Sequence, residues 1–213
     1  MQNTRETRQL QTMALGFGTG SVLFGLGAIM AVAEANDVAI GIVFALGAVL
    51  FTTAAAVQWR AAADKPMPSR LRDPDWMSAV IQFVGTLFFN VMTIRALWQA
   101  IDASSADYDR VWHPDVIGSL LFLISSWIAW HPIARQHRHH LLHGRSRLIC
   151  WANMLGSVFF GLSAVGAKML PDGTFQNLRW DNLGTLLGAV GFLIAAAALR
   201  PTADERRRAA ASA

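Results

Sequence analysis

Polar side chains at helical spacing inside one long apolar segment are the first candidates for chemistry. Gln82, Thr86, Asn90 and Thr93, with Ser78 one turn before them, lie within a sector of about 120° if each residue turns a helix by about 100°. Hydrocarbon cannot satisfy amide and hydroxyl groups, so such a stripe must face another helix or a water-filled cavity. It predicts either hydrogen bonds between helices or a polar path for a substrate or an ion.

Two further polar features accompany this stripe. Asn153 and Ser157 form a comparable face on the fifth apolar segment, which we expect to contact the stripe. Arg95 lies off the stripe and near the end of its segment, so its side chain is expected to extend outwards, towards Asp102 or Asp109. The alternative is that Arg95 gates a channel or binds a substrate.

A histidine-rich loop follows the fourth apolar segment. His139 and His143 are four residues apart, so they would share one face of a helix, and this spacing suits zinc. His137 and His140 lie beside them. Residues 132–147 hold four arginines and no carboxylate or cysteine, so a basic band that attracts anionic lipid headgroups is favoured over a metal site. A cytoplasmic metal or pH sensor is the weaker alternative.

The residues that most enzyme mechanisms need are missing from the apolar segments. No histidine lies in the middle of a segment, and no pair of carboxylates is expected inside one. The run Gly161-Leu162-Ser163-Ala164-Val165 lacks the second glycine of a serine hydrolase motif. We therefore expect a non-enzymatic protein with no catalytic residue and no cofactor.

The composition indicates which solvent surrounds these segments. The chain has 213 residues, of which 54% are hydrophobic and 15% charged, whereas a soluble domain carries about 25% charged residues. A chain of this length cannot bury so much apolar surface in water. A single cysteine, Cys150, excludes an intrachain disulfide. The sequence predicts an integral membrane protein, and basic residues at the membrane borders account for its net charge of +4 without a nucleic-acid partner.

Six apolar segments are candidates to cross a bilayer, which takes about 20 residues. They run Leu10–Ala33, Val38–Trp59, Met77–Trp98, Val116–Trp130, Leu148–Leu170 and Leu183–Leu199. The first exceeds the length of a signal-peptide core, so we expect an uncleaved helix. The fourth is the shortest, and five spans are the alternative. The six form one polytopic membrane domain of three hairpin units, at about 10–59, 76–131 and 148–199, with tails at 1–9 and 200–213.

The distribution of charge predicts the orientation of these spans. Most of the 18 Lys and Arg residues fall in the two tails and in the loops after the second and fourth segments, whereas the other loops are rich in aspartate. Positive residues remain on the cytoplasmic side of a membrane. We therefore expect a multi-pass protein of the cytoplasmic (inner) membrane with both termini in the cytoplasm.

Short motifs recur among the segments. The odd-numbered ones share Gly20-Ser21-Val22-Leu23-Phe24, Gly85-Thr86-Leu87-Phe88-Phe89 and Gly156-Ser157-Val158-Phe159-Phe160. Two even-numbered ones share the runs Asp115–Leu121 and Asp181–Leu187. Because each unit holds two spans, the repeats have the same orientation in the membrane. The expected fold is all-α, with six transmembrane helices arranged as three parallel helical-hairpin repeats.

The third hairpin carries a resemblance to a known family. The segment Trp151–Phe160, which contains Asn153, Gly156 and Ser157, followed by Asn182–Leu187, resembles the YrhK-like domain, a two-helix membrane unit. The likeness is best over residues 148–199, weaker over 76–130 and poor in the first hairpin. It implies a bacterial integral membrane protein and supplies no catalytic residue, because the family has no established activity.

These observations lead to a ranked expectation for function. A packing or scaffold role in the membrane comes first, a small transporter or channel with a polar path along the third helix comes second, and the histidine sensor comes third. The expected partners are the bilayer and anionic headgroups at the basic loops. Glycine-rich helix faces also suit a homo-oligomer, at Gly16/Gly20, Ser21/Gly25 and Gly184/Gly188.

Overall fold

A computed structural model shows a protein that is helical almost throughout. It describes residues 2–63, 67, 69–102, 107–135 and 144–211. This part of the chain contains seven α-helices and one short 3-10 helix, Ser69–Arg72, and no strand. The α-helices are α1 (Gln2–Val32), α2 (Asp37–Ala62), α3 (Pro74–Ile101), α4 (Tyr108–Arg135), α5 (Gly144–Gly166), α6 (Leu178–Leu199) and α7 (Ala203–Ala211).

The first six helices are each long and apolar enough to cross a membrane. Each of these helices exposes large apolar side chains on its outward face. Examples are Leu15, Leu46, Leu87, Leu120, Leu155 and Leu193. Such an apolar surface is unfavourable in water and suits contact with lipid. The chain is a multi-pass membrane protein, and the prediction of six spans is confirmed.

The fourth helix is longer than its apolar centre indicated. α4 continues through Pro114 and Pro132, so the predicted segment Val116–Trp130 is its middle part and the alternative of five spans is wrong. A proline inside a helix leaves the carbonyl four residues earlier without its backbone N–H. At Pro114 that carbonyl belongs to Arg110, and it accepts a hydrogen bond from Arg95 Nη1 at 2.8 Å instead.

The fifth helix ends four residues before the predicted limit at Leu170, because it meets the start of α6 at Gly166. A Cβ atom there would lie 2.6 Å from the backbone nitrogen of Asp181. The Gly166 carbonyl accepts from the Asn177 N–H at 3.0 Å, and the Asn177 side chain caps α6 by accepting from the Trp180 N–H at 3.1 Å. Asn36 caps α2 in the same way.

The six spanning helices form a closed ring. Each helix packs against the next one in chain order, and α6 returns to pack against α1. The three hairpins α1–α2, α3–α4 and α5–α6 therefore stand side by side with the same orientation, as the repeat motifs predicted. We call the end of the ring that carries both chain termini the termini end, and the opposite end, where each hairpin turns, the hairpin end.

Each hairpin is held by the same reciprocal contact between a glycine and a phenylalanine. In α1–α2, a Cβ on Gly20 would lie 2.5 Å from the Phe51 ring, and a Cβ on Gly47 would lie 3.1 Å from the Phe24 ring. The second and third hairpins repeat this arrangement with Gly85, Phe89, Gly118 and Phe122, and with Gly156, Phe160, Gly188 and Phe192. The absence of a side chain on each glycine lets the two backbones approach closely.

The packing aligns the even-numbered helices α4 and α6 differently from the sequence motif, by about one helical turn. The shared motif aligned Gly118 with Gly184, but Gly118 packs against Phe89 as Gly188 packs against Phe160. Gly188 is therefore the structural equivalent of Gly118. The two aspartate-led runs are alike in sequence and occupy different depths in their hairpins.

One phenylalanine from each spanning helix fills the centre of the ring. All six are buried, and their contacting ring centroids are 5.0 to 6.4 Å apart, mostly edge to face. Aromatic pairs favour this geometry because the positive ring edge meets the negative ring face. We call this cluster the phenylalanine core: Phe24, Phe51, Phe89, Phe122, Phe160 and Phe192.

Candidate functional site

Asn90 is the centre of the polar stripe on α3. Its side-chain nitrogen donates to the Thr52 hydroxyl of α2, and also to the backbone carbonyl of Thr86 at 2.9 Å. Thr52 in turn donates to the carbonyl of Ala48 at 3.0 Å. The amide is thus satisfied by a neighbouring helix, which is the interhelical contact that the sequence offered as one of two possibilities.

The other members of the stripe are also buried against protein. Thr86 and Thr93 are each 1% exposed, and their hydroxyls donate to carbonyls of their own helix, at 2.6 Å and 3.3 Å. The Ser78 carbonyl accepts from the Ser125 hydroxyl of α4 at 2.8 Å. Gln82 is half-buried. The stripe therefore lies at the junction of α3 with α2 and α4.

The polar face of α5 meets α4, not the stripe on α3. Ser157 is fully buried and shares a hydrogen bond with the Ser126 hydroxyl at 2.8 Å, and Ser126 also contacts the carbonyl of Asn153 at 3.5 Å. The expectation that the two faces contact each other is wrong because α4 lies between α3 and α5 in the ring. The phenylalanine core links α3 to α5 across the centre, through the contact between Phe89 and Phe160.

Arg95 extends towards the hairpin end, as expected for a side chain that leaves the hydrocarbon. Its hydrogen-bond partner there is the backbone carbonyl of Arg110. That carbonyl is free because of Pro114, so Arg95 replaces a hydrogen bond that the α4 backbone lacks. In this position Arg95 ties α3 to the first turns of α4.

A cluster of carboxylates and hydroxyls at the hairpin end was missed at the level of sequence. The Ser163 hydroxyl of α5 contacts Asp181 Oδ1 at 2.9 Å and the Thr185 hydroxyl at 2.7 Å, both on α6. Asp115 of α4 lies close enough to interact electrostatically with Asp181. Both aspartates lie just before the predicted apolar segments, and the structure places them within the longer helices α4 and α6. The signal was present, since both aspartates lead the motif that the even-numbered segments share.

The glycine faces proposed for an oligomer are mostly used inside the chain. Gly16 and Gly20 pack against α2, and Gly184 packs against the backbone of α5 at Ser163. Ser21 and Gly25 border an apolar groove between α1 and α6 with a volume of about 320 Å³. The first and third of these faces are thus seams between neighbouring helices of one chain.

Arg145 organises the termini end. Its guanidinium donates to the carbonyls of Ala198, Leu199 and Arg200 at the end of α6, at 2.6 to 2.9 Å, and pairs with Glu205 of α7 at 3.0 Å. Carbonyls at the end of a helix have no partner within that helix, and a cation there is also attracted by the negative end of the helix dipole.

Glu205 holds the other side of this contact. It accepts from the Thr202 N–H at 2.6 Å, and Thr202 Oγ1 accepts from the Glu205 N–H at 3.2 Å, which is a capping box at the start of α7. The Thr202 N–H and the nearby Arg145 guanidinium hold the pKa of the Glu205 carboxyl below its usual range. Arg145 and Glu205 together position α7 against the ring.

The predicted histidine site lies outside the described residues. His137, His139, His140 and His143 all fall in the segment 136–143. Within the described ranges, no group of three or more His, Cys, Asp or Glu side chains is placed to hold a metal ion. The zinc hypothesis therefore stays a prediction.

Comparison with known proteins identifies no relative of the chain. No family model, curated protein or solved structure matches the chain. The function is therefore inferred from the contacts within the protein. They satisfy polar groups across helix junctions and fill the centre of the ring with aromatic side chains.

Proposed function

We propose that this protein is a non-enzymatic structural component of its membrane, whose work is to present a rigid six-helix ring. The observation that carries the proposal is the phenylalanine core, six buried aromatic rings in mutual contact where a channel would need an open axis. The hydrogen bonds of Asn90 support it, since an amide that lines a water path would not need a hydroxyl of another helix.

We also propose that the protein lies in the cytoplasmic membrane with both termini in the cytoplasm. Two facts support this orientation. The Thr4 hydroxyl donates to the carbonyl of Ala209 at 3.0 Å, so the two terminal segments are on the same side. The basic residues Arg206, Arg207 and Arg208 of α7 lie on that side as well, and positive residues are retained in the cytoplasm.

A relation of each hairpin to the YrhK-like domain is part of the same proposal. The support comes from Gly156 and its structural counterparts Gly20 and Gly85, which make the same contact in all three hairpins. The motif that suggested the family is thus the one that joins the two helices of a unit. The proposal assigns the family's two-helix unit to all three hairpins.

The substitution Asn90→Leu distinguishes the structural role from a role in transport. Loss of the contacts to Thr52 and Thr86 should lower the free energy of unfolding by about 1 kcal/mol, the scale of an interhelical hydrogen bond in a membrane. In a protein of this size, that corresponds to a thermal midpoint lower by about 2–4 °C. The measurement is thermal unfolding of the purified protein in detergent, with ion leakage from proteoliposomes recorded in parallel.

Asn153→Leu on α5 is the matched control. No hydrogen bond of the Asn153 side chain occurs among the described residues, so this change should not lower the midpoint. The structural role is contradicted if the wild-type protein carries an ion flux that Asn90→Leu abolishes while its thermal midpoint stays unchanged.

A further inference from the structure

A groove with a volume of about 680 Å³ opens between α1 and α2 at the termini end. Its lining residues are Arg5, Arg8, Arg60, Thr4, Gln9, Thr12 and Val57. Sites for small ligands have volumes of about 300–1,000 Å³. We propose that this groove binds the phosphate group of an anionic phospholipid from the surrounding leaflet. The proposal goes beyond the structural role and requires only that the helices span a bilayer, whichever side the termini face.

The spacing of the lining residues places their side chains around the same groove. Arg5, Arg8 and Thr12 are three and four residues apart, so they share one face of α1. Arg60 lies in the last turn of α2, which packs against that face of α1. Three guanidinium groups from two helices thus border a single groove.

The positive charge of this groove is not neutralised by the described part of the protein. Two other arginines near helix ends do have carboxylate partners: Arg110 pairs with Asp107 at 2.7 Å, and Arg145 pairs with Glu205 at 3.0 Å. Among the residues that the structure describes, no carboxylate makes an ion pair with Arg5, Arg8 or Arg60. The N-terminal turns of α1 add the positive end of a helix dipole. An anion is the ligand that such a groove requires.

Two features indicate a phosphate that belongs to a lipid. The planar guanidinium group of arginine can donate two parallel hydrogen bonds to a phosphate group, which strengthens binding and fixes the orientation of the phosphate. The groove lies at the membrane border, since Arg60 directly follows Trp59, whose ring stacks on Phe83 at 5.3 Å. Deeper on the same two helices, the exposed side chains of Leu15 and Val49 offer apolar surface for acyl chains.

The test measures lipid retention by the full chain purified in a neutral detergent at about 0.15 M salt, where charges that are not in contact are largely screened. Phosphatidylglycerol, phosphatidylcholine and inorganic phosphate are added separately, and bound lipid is counted by native mass spectrometry. We expect phosphatidylglycerol to bind in preference to phosphatidylcholine. The double variant Arg8→Gln/Arg60→Gln should weaken that binding at least about tenfold, because charge-assisted hydrogen bonds are lost.

The matched control is Arg206→Gln/Arg207→Gln, which removes two positive charges from the same end without changing the groove lining. It should weaken binding less than about threefold. Thermal unfolding without added lipid shows that both variants remain folded. The proposal is overturned if the two double variants lose binding equally, if phosphatidylcholine binds as well as phosphatidylglycerol, or if inorganic phosphate at equal concentration displaces the lipid.

Discussion

Phe122→Ala is expected to lower the free energy of unfolding by about 2–3 kcal/mol. Phe122 is 2% exposed and contacts the rings of Phe51, Phe89 and Phe192. In a soluble protein the same change costs about 3–5 kcal/mol. Lipid is as apolar as the core, so the transfer part of that cost is largely absent in a membrane. The part that remains is a cavity of about 100 Å³ at about 24 cal/mol per Å³.

The measurement is unfolding by SDS in mixed micelles, with Leu120→Ala as its control. Leu120 lies two residues away on α4 and is 54% exposed on the lipid side, so its truncation removes little packing. The phenylalanine core is disproved as the centre of stability if both variants lose the same free energy. Equal losses would mean that α4 has no preferred inward face.

Gly184→Ala is expected to destabilise the third hairpin by about 1–3 kcal/mol, the usual cost of overpacking. A Cβ on Gly184 would lie 2.7 Å from both the Phe159 carbonyl oxygen and the Ser163 nitrogen. Both atoms belong to the α5 backbone, which cannot rotate away as a side chain can. The hairpin must therefore open, and the Ser163 contacts with Asp181 and Thr185 should weaken with it.

Gly18→Ala is the matched control, and it should change stability in the opposite direction. A Cβ on Gly18 meets its nearest neighbour, Ala196 Cβ, at an ordinary 3.7 Å. Alanine is favoured over glycine in a helix by about 1 kcal/mol, so this variant should be as stable as the parent or more stable. SDS unfolding of the two variants, side by side, measures the difference. Destabilisation of Gly18→Ala by as much as Gly184→Ala would contradict close contact as the cause.

The spans and the repeat could be predicted from the sequence because each depends on local information. A run of about 20 apolar residues indicates a helix that can cross a bilayer. The motif around Gly20 recurs at Gly85 and Gly156, where the two helices of each hairpin approach closely. The length of α4 could not be read in this way. Its first turns contain Pro114 and charged residues, and the carbonyl that Pro114 leaves without a backbone partner accepts a hydrogen bond from Arg95 on α3.

The partners of the polar residues could not be predicted, although the polar faces themselves could. Helical spacing places Asn90 and Thr86 on one face, but the order of helices in the ring decides that Thr52 is the partner. The same order separates Ser157 from the α3 stripe and pairs it with Ser126. Residue spacing within a helix contains no information about which helix lies opposite.

The side chains missed at both ends of the ring share a cause. Asp115 and Asp181 are distant in sequence, and they come near enough to interact electrostatically because α5 packs against both α4 and α6. Arg145 looked like one basic residue among several in a border loop, yet it caps α6 and holds α7 through Glu205. Their roles depend on contacts between residues that are far apart in the chain.

The ring closes where α1 packs against α6, and an engineered disulfide can probe this junction. The Cβ atom of a residue at position 18 of α1 would lie 3.7 Å from Ala196 Cβ of α6, within the about 3.5–4.5 Å that a disulfide requires. In a Cys150→Ser background, Gly18→Cys/Ala196→Cys should form an intramolecular disulfide on mild oxidation in native membranes. It would be seen as a change in gel mobility that a reductant reverses.

The control pair is Gly18→Cys/Leu87→Cys, which joins α1 to α3, two helices that do not pack together in the ring. We expect this pair to stay unlinked, whereas the α1–α6 pair should be linked in most molecules. An α1–α6 pair that remains reduced under conditions where the control pair reacts would contradict the closed ring.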